Sequence, residues 1–235
     1  MHAADIRAIT EVEDGHWWYR ERRRIIAREL ARLRRHGPPG RAVEIGAAGG
    51  GNSLVMAERG WQTLATEFNP AGVEIARERG LEAIQADARD LPLPDAGFDL
   101  LVAFDVLEHI EEDDRVTAEM HRVLRPGGTA LIAVPCDMAL WSAHDVATGH
   151  VRRYTRATLT EVVRGAGLVV DELWSWNVLL RPVVKLRRGA DTGCDLDRPH
   201  PLVNAALGAI IKAERYLGVR ALPGVSLMMR AHRPA

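Results

Sequence analysis

The sequence is poor in several features that would narrow its class. Only two cysteines occur in 235 residues, Cys136 and Cys194, which are too few for a disulfide framework and lie in no spacing typical of a metal site. Lys and Arg number 31 against 32 Asp and Glu, so the net charge of −1 gives no indication of a DNA partner. No apolar run approaches the length of a membrane span, and no signal peptide opens the chain. We therefore expect a cytoplasmic protein without a membrane span.

The composition that is present is that of a globular domain. Hydrophobic residues make up 47% of the chain and charged residues 27%, a balance typical of one domain of this length. The charge is uneven, because eight arginines lie between Gly15 and His36. In this segment Ile25 and Leu30 lie near one face, which predicts a helix over 15–36. We expect the residues before Gly15 to form a flexible leader.

A glycine-rich turn organises the chain. The apolar residues 42–45 predict a strand, only Gly and Ala follow from Gly46 to Gly51, and residues 53–59 predict a helix. A strand, a tight turn of small residues and a helix form the first half of a βαβ unit. Small residues let a ligand approach the backbone closely, and the helix start presents free N–H groups. The turn therefore predicts a ligand site.

The next three predicted strands each end at an acidic residue. The carboxyl ends of parallel strands meet at one edge of a sheet, where ligands bind. Glu67 follows Gly46 by 21 residues, about the separation at which an acid accepts hydrogen bonds from ribose hydroxyls. A nucleoside-containing cofactor is therefore expected here. The predicted contacts at the three strand ends are Glu67, Phe68, Asp87, Ala88 and Asp105.

The turn and the strand ends together resemble a known family. Glu44, Gly46, Ala48 and Gly50 give E-x-G-x-A-x-G, which resembles motif I of the class I S-adenosylmethionine-dependent methyltransferases, usually D/E-x-G-x-G-x-G. The segments QADARDLPLPDAGFDLLVAFDVLEHI and RVLRPGGTALI are similar to the same family, so the resemblance runs from about residue 42 to residue 135. Ala48 departs from the pattern, and its methyl group takes clearance from the cofactor.

The resemblance implies a fold and a cofactor. The fold is α/β, a Rossmann-like seven-stranded mostly parallel sheet with an N-terminal lid helix and a helical insertion before the last strand. That last strand lies antiparallel beside the fifth. The cofactor is S-adenosylmethionine, with its ribose on Glu67, its adenine on Asp87 and the following backbone N–H, and its methionine part near Asp105.

We treat the chain as a single methyltransferase domain. In the family, a lid helix borders the cofactor pocket, so Tyr19 and Arg20 are expected to contact the cofactor, the arginine as a bidentate partner for a carboxylate. The domain comprises residues 1–235, with the lid helix at 15–36, the cofactor-binding core at 41–176, the helical cap at 177–217 and the last strand at 222–233.

The segment after the fifth strand predicts the acceptor side. Methyl transfer from a sulfonium needs the acceptor atom about 3 Å from the methyl carbon and, for a hydroxyl, a base. His144 is the first candidate base, with Asp145 or Asp105 to orient it, and His150 is the second. Alternatively, both histidines hydrogen-bond the loop together. The predicted acceptor contacts are Trp18, His109, Trp141, Arg152, Arg153 and Tyr154.

The pattern Asp105-x-x-Glu108-His109 leaves a metal site as an alternative. Some methyltransferases carry E-x-x-E-H here and bind Mg²⁺ or Mn²⁺, for which oxygen ligands are suited. In this sequence the first acid is Asp, and D-x-x-E-H also occurs in metal-free relatives. We therefore expect no metal, and a packing role for Glu108 and His109.

The predicted cap combines apolar and basic residues on either side of a polar loop at 189–201. This composition predicts a small-molecule or lipid-like acceptor, including an anionic one, and is compatible with peripheral attachment to a membrane. Three alternatives stay open. They are an RNA methyltransferase, disfavoured because no stacking aromatics are interleaved with the basic helix, an NAD(P)-dependent oxidoreductase on a similar sheet, and a cofactor-binding protein without catalysis.

Overall fold

The computed structural model describes residues 3–188 and 199–235. The strands, numbered in chain order, are β1 Arg41–Ile45, β2 Gln62–Glu67, β3 Glu82–Gln85, β4 Phe98–Phe104, β5 Leu124–Pro135, β6 Val169–Trp176 and β7 Ser226–His232. They form a seven-stranded sheet in the order β3-β2-β1-β4-β5-β7-β6. Among the described strands, β7 runs in the direction opposite to the other six, with Met229 opposite Ile132 of β5 and Leu173 of β6. The predicted fold class is confirmed.

Helices cover both faces of this sheet. They are α1 Ala3–Val12, α2 Trp17–Leu33, α3 Gly51–Ala57, α4 Pro70–Glu78, α5 Asp113–Val123, α6 Ala143–Ala147, α7 Arg156–Gly165, α8 Arg181–Arg188 and α9 Pro201–Glu214. Within the described ranges, no helix has both the length and the apolarity needed to cross a membrane.

The central strand β4 shows how the core is divided. Leu101 and Ala103 pack in the layer that contains α5 and α7, whereas Leu100 and Val102 pack with α2, α3 and α9. Because β4 is buried on both faces, its sequence is a nearly continuous apolar run rather than an alternating one. The helices thus leave the C-terminal edge of the sheet for the turns that follow the strands.

The expectation of a flexible leader before Gly15 is wrong, because α1 is a packed helix. Its residues Ile6, Ile9 and Thr10 face inward at helical spacing, and Ile6 is fully buried. Helix α1 packs on α4, and the Glu13 carboxylate that follows it lies 2.5 Å from the Arg79 guanidinium. The segment is short and only moderately amphipathic, so its tertiary contacts decide its conformation.

Two helix starts have local causes. Helix α2 begins at Trp17, because the side chain of His16 accepts a hydrogen bond from the backbone N–H of Trp18 at 3.2 Å. Helix α8 begins at Arg181 rather than at 177 as predicted, because Asn177 has φ of 59° and turns the chain at the end of β6. Residues 189–198 of the predicted polar loop, and of the predicted cap, lie outside the described residues.

Candidate active site

The glycine-rich turn after β1 is built from left-handed residues. Gly46, Ala48 and Gly50 have φ of 67°, 46° and 80°. A Cβ on Gly46 would lie 2.6 Å from the Cγ2 of Val106, so this position requires glycine for space as well as for its backbone conformation. Ala48 adopts the left-handed region despite its Cβ, which costs about 1–2 kcal/mol. The turn therefore presents backbone at close range and stores some strain at Ala48.

A buried carboxylate lies beneath this turn. Glu44 Oε1 accepts a hydrogen bond from Asn52 Nδ2 at 2.9 Å, and Oε2 accepts one from Ser53 Oγ at 2.5 Å. Burial raises the pKa of Glu44 to about 7, although the hydrogen bonds from Ser53 and Asn52 oppose the shift. Glu44 thus ties β1 to the start of α3 and shapes the turn from below.

The acid at the end of β2 reaches across to the same turn. Glu67 Oε2 accepts a hydrogen bond from the backbone N–H of Ala48 at 2.8 Å, and Oε1 accepts one from the N–H of Asn69 at 2.9 Å. The parallel pairing of β1 and β2 produces this proximity, since it aligns the two strand ends. The neighbouring Phe68 side chain is 66% exposed at the same edge. A carboxylate and an accessible aromatic ring therefore stand beside the turn.

The acid at the end of β3 is paired with an arginine that the sequence analysis did not single out. The Arg89 guanidinium lies 2.7 Å from Asp87 Oδ2, and the Arg89 backbone N–H donates to Oδ1 at 2.9 Å. The side-chain bond from Arg89 lowers the pKa of Asp87. Ala88, between the two, is buried. Asp87 is therefore held as an ionised acceptor at the sheet edge.

Helix α2, the predicted lid, carries Arg22, which the sequence analysis also missed. Its guanidinium lies 2.8 Å from Asp105 Oδ2, and only 3% of the residue is exposed. Three aromatic rings lie within 5.8 Å of its guanidinium carbon, those of Trp18, Phe104 and Trp176. The spacing of Arg22 four residues after Trp18 was the available signal, since such residues share a helix face.

The other predicted lid residues lie differently. Arg20 is exposed, because two residues along a helix turn it about 200° away from the face that carries Arg22. Tyr19 is half-buried and makes an edge contact with His16 at 5.6 Å between ring centroids. The lid arginine that reaches the sheet edge is therefore Arg22 rather than the predicted Arg20.

Asp145 is the centre of the acceptor-side loop. It is fully buried, and its Oδ1 lies 2.8 Å from both His150 Nδ1 and Arg153 Nε. Its Oδ2 accepts from the backbone N–H of Ser142 at 2.9 Å and lies 3.3 Å from an Arg188 nitrogen. The acid next to His144 thus contacts His150 and two arginines, while Asp105 contacts Arg22 of α2.

The remaining residues predicted to contact the acceptor differ in how many bonds they make to the rest of the protein. Tyr154 is buried, its hydroxyl donates to Asp113 at 2.6 Å, and burial with that bond raises its pKa. Arg152 also contacts Asp113, at 2.6 Å. Trp141 and His144 are half-buried, and the His144 ring stands edge-on to that of His150 at 6.2 Å. The structure therefore uses Arg152, Arg153 and Tyr154 to hold the loop.

The residues that could form a metal site differ from the set predicted from the sequence. Asp105 faces the Arg22 guanidinium, whereas His150 comes close to Glu108 and His109 from the other side of the edge. The His109 and His150 rings have centroids 4.8 Å apart. Burial and the neighbouring His150 lower the pKa of His109 to about 4, so this ring is neutral at physiological pH.

Comparison with known proteins gives matches to methyltransferases. Residues 43–132 match the family model described as a methyltransferase domain. The chain is 30% identical over 171 residues to a probable S-adenosylmethionine-dependent methyltransferase of Mycolicibacterium smegmatis, a match covering 71% of this chain and 65% of that protein. It is 33% identical over 130 residues to a Mycobacterium ulcerans protein named as a probable phthiotriol/phenolphthiotriol dimycocerosates methyltransferase, covering 52% of this chain and 50% of that one. The chain thus spans less than two thirds of the length of either relative.

A solved structure agrees at the level of the fold. A methyltransferase in complex with the Haloferax volcanii Trm112 methyltransferase activator superposes with a TM-score of 0.66 at 22% identity, covering 99% of this chain and 96% of that chain. Together with the motif I turn and the sheet order, these matches favour a methyltransferase over the NAD(P)-dependent oxidoreductase. The matches to methyltransferases, the motif I turn and the sheet order support a class I S-adenosylmethionine-dependent methyltransferase with S-adenosylmethionine as its cofactor.

Proposed function

We propose that this chain transfers the methyl group of S-adenosylmethionine to a hydroxyl oxygen of a small or amphiphilic acceptor. The observation that carries the proposal is the histidine cluster of the acceptor-side loop, which stands at the same sheet edge as the glycine-rich turn. An imidazole can take the hydroxyl proton at neutral pH, and the sulfonium needs no further activation. A loop held by Asp145 can keep the acceptor in line with the methyl group.

In this proposal the cofactor lies across the turn. Each oxygen of a carboxylate has two lone pairs, so Glu67 can keep its bond to the Ala48 N–H and still accept from ribose hydroxyls. Asp87, ionised by its contact with Arg89, accepts from the adenine amino group. Asp105 and Arg22 face the methionine part, where the guanidinium suits a carboxylate.

His144 is the proposed base. Asp145 is already compensated by two guanidinium groups, from Arg153 and Arg188, so its field on His150 is offset. The His150 side chain is also only 10% exposed, which limits the approach of an acceptor. His144 stands on α6, and its ring centroid lies 6.2 Å from that of His150. The reacting hydroxyl loses its proton to this imidazole as oxygen attacks the methyl carbon, and the electron pair of the broken bond returns to sulfur.

An amphiphilic acceptor fits the cap helices. Helices α8 and α9 expose apolar side chains, and α8 also carries the exposed cations Lys185 and Arg187. The relative from Mycobacterium ulcerans is named for a lipid substrate. In this proposal α2 acts as a lid and the cap helices border the acceptor, with contact to a membrane surface as one way of reaching it. The exposed apolar residues are Val183, Leu186, Leu202, Val203 and Ile210.

The test is transfer of a labelled methyl group to matched acceptors. Purified protein is incubated with methyl-labelled S-adenosylmethionine and pairs of amphiphiles that carry either a hydroxyl or an amine on the same scaffold. We expect label in the hydroxyl compounds, and a loss of turnover in His144→Ala with unchanged affinity for S-adenosylhomocysteine. Label found only in the amines would overturn the oxygen assignment, and full turnover by His144→Ala would overturn the base.

A further inference from the structure

Three side chains with metal-ligand chemistry meet at the acceptor edge. Glu108 and His109 lie in the 3₁₀ turn Leu107–His109 after β4, and His150 lies in the loop after α6. One ligand atom from each of the three lies within 4.8 Å of the others. The backbone holds the two segments together, because the Val151 N–H donates to the Glu108 carbonyl at 2.7 Å. The cluster is therefore a product of the fold rather than of freely moving surface side chains.

Glu108 lacks the partners that a buried carboxylate normally has. It is 0% exposed, and neither of its carboxylate oxygens has a hydrogen-bond partner among residues 3–188 and 199–235. Burying a polar group without partners is costly, and such groups are rare in folded proteins. A cation held at this point would supply the missing partner for both oxygens.

In both imidazoles the Nδ1 atom lies close to an oxygen acceptor. His150 Nδ1 lies 2.8 Å from Asp145 Oδ1, and His109 Nδ1 lies 3.3 Å from the Gly149 carbonyl oxygen. Each oxygen acceptor favours the tautomer with the proton on Nδ1, which leaves Nε2 as a neutral donor for a metal. A carboxylate or carbonyl behind a metal-binding histidine is the usual arrangement around such sites.

We propose that Glu108, His109 and His150 bind one divalent first-row transition-metal ion, of which Zn²⁺ is the reference case. Two imidazoles with one carboxylate suit such an ion better than Mg²⁺, which prefers oxygen ligands throughout. With bonds of about 2.1 Å, tetrahedral ligands lie about 3.4 Å apart, so the ligand atoms, which lie within 4.8 Å of one another, move closer by up to about 1.4 Å on loading. Three protein ligands leave one position open.

An open coordination position would give the ion a role in the proposed methyl transfer. The role rests on the proposed function, whereas binding of the ion does not. A hydroxyl oxygen that occupies this position would lose its proton more readily, because the positive charge stabilises the alkoxide. The imidazole of His144, next to that of His150, would receive this proton. Asp105, the acid expected at this site from the sequence, stays with Arg22.

The experiment measures metal binding without cofactor or acceptor. Full-length protein is freed of metal with a chelator and titrated with Zn²⁺ against a chromophoric competitor, and with Co²⁺ by its visible absorption. The variants are Glu108→Gln and His109→Ala, and the matched control is His121→Ala, a half-buried histidine of α5 outside the cluster. We expect one ion per chain in the wild type and in the control. Both cluster variants should lose more metal affinity than the roughly 10–100-fold that follows removal of a hydrogen-bond partner behind a metal ligand.

A second measurement guards against a variant that folds poorly. Zn²⁺ should raise the thermal midpoint of the wild type and of His121→Ala but not that of Glu108→Gln, since only a bound ion stabilises the folded state. The proposal would be overturned if the wild type did not bind one ion per chain, or if both cluster variants bound the ion as well as the wild type does. Methylation of hydroxyls without metal uptake refutes the ion alone, and metal uptake without methylation of any hydroxyl refutes the proposed function alone.

Discussion

Replacing Glu44 by Gln removes a buried carboxylate beneath the glycine-rich turn and keeps an amide that can still accept from Ser53. The ordinary pKa of this carboxyl is 4.5, and burial raises it to about 7 in the folded protein. Between these values the folded protein retains a proton at Glu44 that the unfolded chain has released. Because the folded state then binds more protons, the free energy of unfolding falls as pH rises. The contribution is complete below pH 4.5 and lost above about pH 7.

The magnitude follows from the size of the shift. Each pKa unit corresponds to about 1.4 kcal/mol, so the free energy of unfolding changes by about 3 kcal/mol across this pH window because of the fully buried Glu44. A glutamine does not titrate. The free energy of unfolding of Glu44→Gln minus that of the wild type should therefore rise by about 3 kcal/mol across the window, whatever its value at the acidic end.

Urea unfolding at a series of pH values across this window measures the difference. Subtraction cancels the titration of all other groups, provided that the slope of each transition stays the same. The matched control is Glu58→Gln, an exposed residue just after α3, for which the difference should stay flat. A flat difference for Glu44→Gln as well, or one that falls as pH rises, would refute the assignment of Glu44 as a proton-retaining group.

Three further substitutions test other parts of the molecule. Ile6→Ala should lower the free energy of unfolding by about 2–5 kcal/mol, because it leaves a cavity under α1; an effect no larger than that of the exposed Arg7→Ala in thermal unfolding would argue against a packed α1. Ala48→Gly should raise the free energy of unfolding by about 0.5–1 kcal/mol in the same assay, because glycine accepts the left-handed φ, and a decrease would contradict the strain. Glu67→Ala should weaken S-adenosylhomocysteine binding several-fold in calorimetry, whereas the exposed Glu74→Ala should not, and equal affinities would refute the ribose contact.

Local signals were sufficient to predict strands that alternate with helices, whereas the seven-stranded sheet was expected from the family resemblance. The glycines and alanines from Gly46 to Gly51 and the acids at strand ends each follow from nearby residues, and together they place alternating strands and helices. Helix α1 was missed because its inward face is short, and its stability comes from packing on α4 rather than from its own sequence. The antiparallel position of β7 was expected only from the family resemblance, since no spacing in the chain indicates it.

The site was less predictable, because its contacts join distant segments. The eight arginines between Gly15 and His36 cannot be told apart by sequence. Arg22 is distinguished by the aromatic rings of three separate elements, which surround its guanidinium in the fold. Likewise, the approach of His150 to Glu108 depends on a backbone bond between two loops. The sequence allowed Asp145 to contact either histidine, and its contact with His150 depends on the conformation of the loop.

The place of β7 between β5 and β6 affects the order in which the protein can fold during synthesis. Strand β6 leaves the ribosome well before β7, yet it has no direct neighbour in the sheet until β7 arrives. Until then the β5 edge carries open backbone groups and apolar side chains, which is the kind of surface that invites aggregation. The nascent chain therefore has to shield one flank of an otherwise complete sheet, and chaperone demand should concentrate on that interval of translation.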